Sequence, residues 1–239
     1  MNEPKVIERT NKFEFIPGDE IVIAPGRAVK RIRALVAIGL FVSAGDIGGY
    51  VENYALVSGD AWVYGNAWVS GNARVAGNAR VSGDARVSGD AHVYGNAHVY
   101  GNALVSGDAL VYGDAYVSGN AWVSGNARVA GNARVSGDAY VSGDALVSGN
   151  ARVSGNAYVS GNALITARSH IFATSGVGTE NGTLTVYNTK NNTLEVTRGC
   201  FRGTIDEFLT ASANKHDDQT HLEYRLLIEV AHSRITRKV

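Results

Sequence analysis

An all-β solenoid, a parallel β-helix of about seven triangular coils, is the fold this sequence predicts, and three observations predict it. From Val57 to Leu164 the chain repeats one unit of six: Val, then Ser, Tyr or Ala, then Gly, then Asn or Asp, then Ala, then a variable residue. The run covers 108 residues, 18 hexads without an insertion. A unit this short cannot bury an apolar side alone and must stack on its neighbours. Within each unit Ala-x-Val-x alternates, which sends Ala and Val to one side of a short strand and the variable residues to the other. Gly followed by Asn or Asp turns the chain, because both tolerate backbone angles that β-branched residues avoid. Three strand-turn units close one coil, so residues 18 apart become vertical neighbours at about 4.8 Å.

The flanks divide the chain into a cap at 1–50, the β-helix at 51–176 and a C-terminal α+β module at 177–239. A solenoid end exposes unpaired strand edges, and a segment of different sequence is expected to cover them. At the N-terminus, Phe13–Ile16 and Glu20–Ala24 read as a hairpin around Pro17-Gly18-Asp19, with Ala28–Ile38 a further strand or short helix. The hexad register is expected to reach back to Val51 and forward, less strictly, through Ile165 and Ile171. Beyond it, Thr183–Tyr187 and Thr193–Thr197 alternate around a polar loop and read as a hairpin. Thr204-Ile-Asp-Glu207 is a capping box opening one helix, through about Asn214, and Thr220-His-Leu-Glu223 is expected to open a second. Leu222, Leu226, Leu227 and Val230 recur at helical spacing and predict its buried face. A module of this size is expected to dock on the last coil or on copies of itself in a trimer.

The unit Val-x-Gly-Asn-Ala-x resembles the hexapeptide repeat of acyltransferases and related proteins. That resemblance implies a left-handed parallel β-helix, a hand that periodicity alone does not supply, and it implies trimers with sites between neighbouring helices. KRIRAL, then GDIGGYVE at Gly45–Glu52, and the segment from GTLTVYNTK to GTIDEF resemble the leader and tail of hexapeptide-repeat proteins of phages and prophages. This implies a mobile-element origin.

Composition narrows the partners. Lys+Arg and Asp+Glu both number 22, so no global charge points to nucleic acid or an acidic membrane. Cys200 is alone, which leaves no internal disulfide and makes a reducing compartment, the cytoplasm, the expected home. No cysteine pair offers a metal site and no cofactor motif is present. The longest apolar stretch, Ala34–Ala44, is broken by Gly39 and Ser43 and falls short of the roughly 20 residues of a membrane span. MNEPKVIERTN lacks a signal-peptide apolar core.

The outward positions carry what chemistry there is. One predicted column reads Trp62, Arg80, His98, Tyr116, Arg134, alternating rings with cations. Tyr64, Tyr94, Tyr100 and Tyr112 interrupt an otherwise small second position, and the last three fall beside His92, His98, Leu110 and Tyr116. Arg74, Arg80, His92, Tyr94, His98, Tyr100, Tyr112 and Tyr116 therefore form the candidate ligand site, spread over two adjacent faces: Arg for an anionic group, Tyr and His for a planar one. Packing alone also accounts for such ladders. An acyltransferase would need a general-base His beside a loop leaving the helix, and the hexads admit no loop. A non-enzymatic binder of a small anionic or nucleotide-like ligand, for example a host-defence signal, is the expected function. A structural or oligomerisation scaffold and an acyltransferase-like enzyme are the alternatives.

Overall fold

The structure, a computed structural model, describes residues 12–53 and 55–237; the leader MNEPKVIERTN, which includes most of the cap's first dozen residues, lies outside them. Three strands form the cap: β1 (Phe13–Ala24), β2 (Arg27–Ala34) and β3 (Ile47–Glu52), antiparallel in that order. Nineteen two-residue strands follow, from β4 (Leu56–Val57) to β22 (Leu164–Ile165), one per hexad step. Within the stack each pairs in parallel with the residues 18 positions before and after it, for example His98 with Arg80 and with Tyr116, and the end strands pair on one side only. The strands form three parallel sheets, so the chain is a β-solenoid of between six and seven coils.

Ala and Val of every hexad are at or near zero exposure and make one continuous core. Each fully buried Val contributes about 1.5–3 kcal/mol of apolar transfer. Gly is required at the corners by two independent constraints. At Gly119 φ is +69°, and a Cβ would lie 2.9 Å from the backbone nitrogen of Gly137 in the next coil. Side-chain amides then stitch the corners vertically: Asn78 donates to Asn96 and Asn96 to Asp114, both at 2.9 Å, and Asn102 donates to Asn120 and Asn120 to Asp138. Each such ladder ends at Asp because a carboxylate accepts but does not donate.

The cap turns elsewhere than the sequence reading placed it. Pro17-Gly18-Asp19 is a bulge inside the single strand β1, with a register shift between Phe15 and Glu20. The hairpin turn is Pro25-Gly26, where proline presets the first turn residue and Gly26 takes φ +71°. Ala28–Ile38 is not a helix; β2 ends at Ala34 and the chain enters a loop. β3 is the splice into the solenoid, antiparallel to β2 on one side and parallel to Trp68–Val69 on the other. It lies so close to the first coil that Cβ atoms on Gly48 and Gly49 would fall 2.8 Å from the Val63 carbonyl and 2.5 Å from the Ala67 carbonyl. Lys12 donates from its ammonium to the Gly59 and Ala61 carbonyls at 2.6 and 2.9 Å, pinning the cap to the first corner.

The tail module is a four-stranded antiparallel sheet, β23 (Ile171–Val177), β24 (Gly182–Asn188), β25 (Leu194–Arg198) and β26 (Phe201–Thr204), backed by α1 (Ile205–Lys215) and α2 (Asp218–Ile235). Ile171 therefore belongs to the tail sheet and not to a further hexad. The hairpin β24–β25 and the capping box at Thr204 and Glu207 stand where the sequence places them. α2 starts earlier than expected. Asp217 caps it through the Thr220 backbone N–H, so Thr220 is inside the first turn.

The buried face of α2 is also a different one: Thr220, Tyr224, Ile228, Ala231 and Ile235 face inward, while Leu222, Leu226 and Val230 are exposed. Two stripes compete on this helix. The one carrying Tyr224 wins because its ring fills the space against Phe208 of α1, edge-on at 5.2 Å. The module docks on the last coil through Thr197, which donates to the Tyr158 carbonyl at 2.6 Å, and through Tyr187, which is fully buried against the solenoid core.

Candidate functional site

The register resolves the outward residues into three faces. Face I carries Leu56, Arg74, His92, Leu110, Arg128, Leu146 and Leu164. Face II carries Trp62, Arg80, His98, Tyr116, Arg134 and Arg152. Face III carries Tyr50, Trp68, Arg86, Leu104, Trp122, Tyr140 and Tyr158. No strand face bears a carboxylate in these columns; the hexad acids all sit at corners.

The eight candidate residues separate into two sets of four. Arg74, His92, Tyr94 and Tyr112 belong to face I, where the Tyr94 and Tyr112 rings stack at 5.0 Å, nearly coplanar in orientation. Burial, and then the neighbouring Tyr112, raise the Tyr94 hydroxyl above its ordinary pKa. Arg80, His98, Tyr100 and Tyr116 belong to face II. His98 lies over Tyr116 at 5.0 Å, and Tyr100 meets Tyr116 edge-on at 6.5 Å. Among the described residues no ring contact or side-chain hydrogen bond joins the two sets.

Face II is the richer of the two. Arg134 stands over Tyr116 from the far side, 5.2 Å from the ring centre, so Tyr116 lies between His98 and Arg134. Arg152 follows in the next coil, and Tyr100, Tyr116, Ser118, Arg134, Ser136, Arg152 and Ser154 line an open groove of about 310 Å³. The serines are the small second-position residues, and their size is what leaves the groove open. Among the described residues none of Arg80, Arg134 and Arg152 pairs with a carboxylate; every ion pair lies in the cap or the tail.

Two features of face II were hidden from the hexad pattern. Trp62 begins the column but is 1% exposed, covered by the cap with Phe13 edge-on at 6.4 Å, so it offers no ring to a ligand or to Arg80. A loop does overhang the histidine: Ile38, Gly39, Leu40 and Phe41 from the cap, with Asp60, Tyr64, Asn78, Arg80, Asn96 and His98, enclose a cleft of about 420 Å³. Arg80 stacks on Phe41 at 3.9 Å instead of on Trp62. The loop lies outside the repeat, so repeat arithmetic could not reveal it. Its apolar run Leu40-Phe41-Val42 between Gly39 and Ser43 was the only signal. Burial first, and the charge of Arg80 second, hold the His98 imidazole below its ordinary pKa of 6.5, so it is neutral at pH 7.

Elsewhere, Trp122, Tyr140 and Tyr158 make a ring ladder on face III, at 5.1 and 4.8 Å. Among the described residues no group of three or more His, Cys, Asp or Glu side chains could hold a metal ion, and no helix is long and apolar enough to cross a membrane.

Five stretches of the solenoid, residues 67–82, 79–95, 97–113, 121–137 and 139–155, match the family described as YdcK Beta solenoid repeat. The matches lie wholly within the coils and support a repeat β-solenoid protein. No curated protein and no solved structure matches the chain.

Proposed function

We propose that the protein is a non-enzymatic binder that captures a small anionic ligand with a planar ring, nucleotide-like in character, along face II. One observation carries this reading: Arg80, Arg134 and Arg152 share a column with the rings of His98 and Tyr116, and none of the three has a carboxylate partner among the described residues. Guanidinium forks match phosphate and carboxylate oxygens, and the outward edges of the His98–Tyr116 ring pair offer a planar group an edge-to-face contact. Binding is favoured over turnover because no carboxylate hydrogen-bonds to His98 among the described residues, whereas a general base needs a group to orient it. A phage or prophage protein that sequesters a host-defence signal in the cytoplasm is the biological setting that suits such a binder.

The test is isothermal titration of the full chain with nucleoside 5′-monophosphates, together with native mass spectrometry of protein purified from cells. Arg80→Ala and Arg134→Ala are each expected to weaken binding about tenfold or more, as loss of a charge-assisted hydrogen bond does. Failure of the wild-type chain to bind any of them, or unchanged affinity in both variants, overturns the reading.

A scaffold role is the second reading, and the exposed rings of Trp122 and Tyr158 with Leu222, Leu226 and Val230 favour it. It includes the homotrimer as the assembly. The same mass spectrum, read for subunit number in a Trp122→Ser, Leu226→Ser double variant, decides it.

A further inference from the structure

We propose a second anion site, separate from face II, at the junction of the last coil with α2, built to take a compact oligophosphate. Arg168 and Ser169 of the short 3-10 turn Arg168–His170, Ile171 of β23, and Ser233, Arg234 and Arg237 at the end of α2 line one open cleft of about 520 Å³. No Asp or Glu is among the lining residues. None of the three arginines forms an ion pair among the described residues.

The arrangement follows from the elements. Ser233 and Arg234 stand in the last turn of α2, and Arg237 follows two residues past its end at Ile235. The negative end of the helix dipole favours cations there, which lowers the cost of holding two guanidiniums together. Arg168 comes from the other wall, fixed by the turn that carries the chain off the solenoid. Arg234 also rests over the Phe172 ring at 6.0 Å, which restricts where its fork points.

Three guanidiniums lining one cleft without a counter-charge repel one another, and the ligand that suits them carries more than one negative charge. A lone carboxylate leaves two forks unmatched. A chain of two or three phosphoryl groups presents several oxygens at fork spacing, and the two serine hydroxyls donate to the remaining ones. The cleft is open at one side and Ile171 is its one apolar lining residue, so no aromatic ring lines it as rings line face II. It selects charge and length, not a base.

The experiment titrates the full chain with sodium tripolyphosphate, with inorganic phosphate and with a single-stranded oligonucleotide, by calorimetry at fixed ionic strength. Tripolyphosphate is expected to bind at least about tenfold more tightly than phosphate, and Arg168→Gln and Arg234→Gln are each expected to weaken it about tenfold or more. Arg80→Ala and Arg134→Ala on face II are expected to leave it unchanged, which separates this site from the proposed nucleotide site. Melting curves of the variants verify that each is folded. The proposal is overturned if tripolyphosphate does not bind, if the face II variants abolish its binding, or if the oligonucleotide binds in preference to it.

Discussion

His98 is an imidazole whose protonation is set by what lies above and beside it. Burial under the cap loop and the Arg80 guanidinium both disfavour the charged ring, so its folded pKa lies below 6.5. A base depressed in this way leaves the folded state unpenalised above pH 6.5 and costs it stability as the pH falls from 6.5 through the folded value. An anion docked on face II reverses the balance by favouring the imidazolium, so binding takes up a proton. Affinity for a phosphodiester nucleotide, whose charge is constant over this range, should therefore rise as the pH falls from 7 to 6. In His98→Gln the same titration should be flat. Calorimetry in two buffers of different ionisation enthalpy reads the proton directly; equal enthalpies in the wild type would contradict the linkage. The sequence placed His98 in register between Arg80 and Tyr116, because a period of 18 is all that needs. It could not show that Trp62 is covered or that a loop shelters the imidazole, because those depend on how a non-repeating segment folds back over the first coil.

At the scale of elements, the cap is held by a buried carboxylate. Glu52, at the end of β3, accepts a two-pronged guanidinium bond from Arg27 at 2.7 and 2.8 Å and a backbone bond from Gly71 at 2.7 Å. The Arg27 bond, with help from Gly71 and against the pull of burial, holds the Glu52 carboxyl below its ordinary 4.5. A carboxylate lowered in this way contributes stability that is complete above pH 4.5 and is lost as the pH falls through its folded value. Hydrogen-exchange protection of β1 to β3 is thus expected to fall on going from pH 7 to pH 4 while the central coils keep theirs. Glu52→Gln should reproduce that loss at pH 7 and show no further acid step. Equal protection in variant and wild type would show that the carboxylate is idle. Elements that repeat were readable and elements that do not were read with errors of register. Pro25-Gly26 and Pro17-Gly18 are near-equal turn signals, and only pairing with β2 selects the first as the hairpin. α2 similarly offers a leucine stripe and a tyrosine stripe, and the sheet it packs on chooses between them.

For the whole molecule the decisive feature is that both ends of the core are plugged by a single large ring. Trp62 seals the first coil from its outward position, packed beneath Phe13 and Gly48 of the cap, and Tyr187 from β24 closes the last, where its hydroxyl donates to the Ser160 carbonyl at 3.4 Å. Unpaired strand edges are thereby covered by the cap sheet at one end and the tail sheet at the other. Tyr187→Ala should destabilise the chain by about 3–5 kcal/mol, as removal of a buried aromatic ring does, and Tyr187→Phe by only about 1 kcal/mol. Equilibrium denaturation measures both, and a Tyr187→Ala loss no larger than that of Tyr187→Phe would mean that the ring is not a plug. The solenoid and its two foreign ends were legible from composition alone, since the hexad stops abruptly on both sides. That the tail sheet reaches back to Ile171 and seals the coil with a tyrosine was not, because β24 alternates like any surface strand.

The cap reaches the first three coils, through the Phe41–Arg80 stack and the cleft over His98, the tail module reaches the last two, and every coil between them offers its neighbours the same spacing. Removing or duplicating any 18 consecutive interior residues would therefore shorten or lengthen the rod by one rise while both lids still fit. Removing six would swing the tail by a third of a revolution and aim its arginine cleft down a different side of the prism. The gene can thus change the protein's length and the relative heading of its two ends independently, in whole-number steps, without redesigning either one.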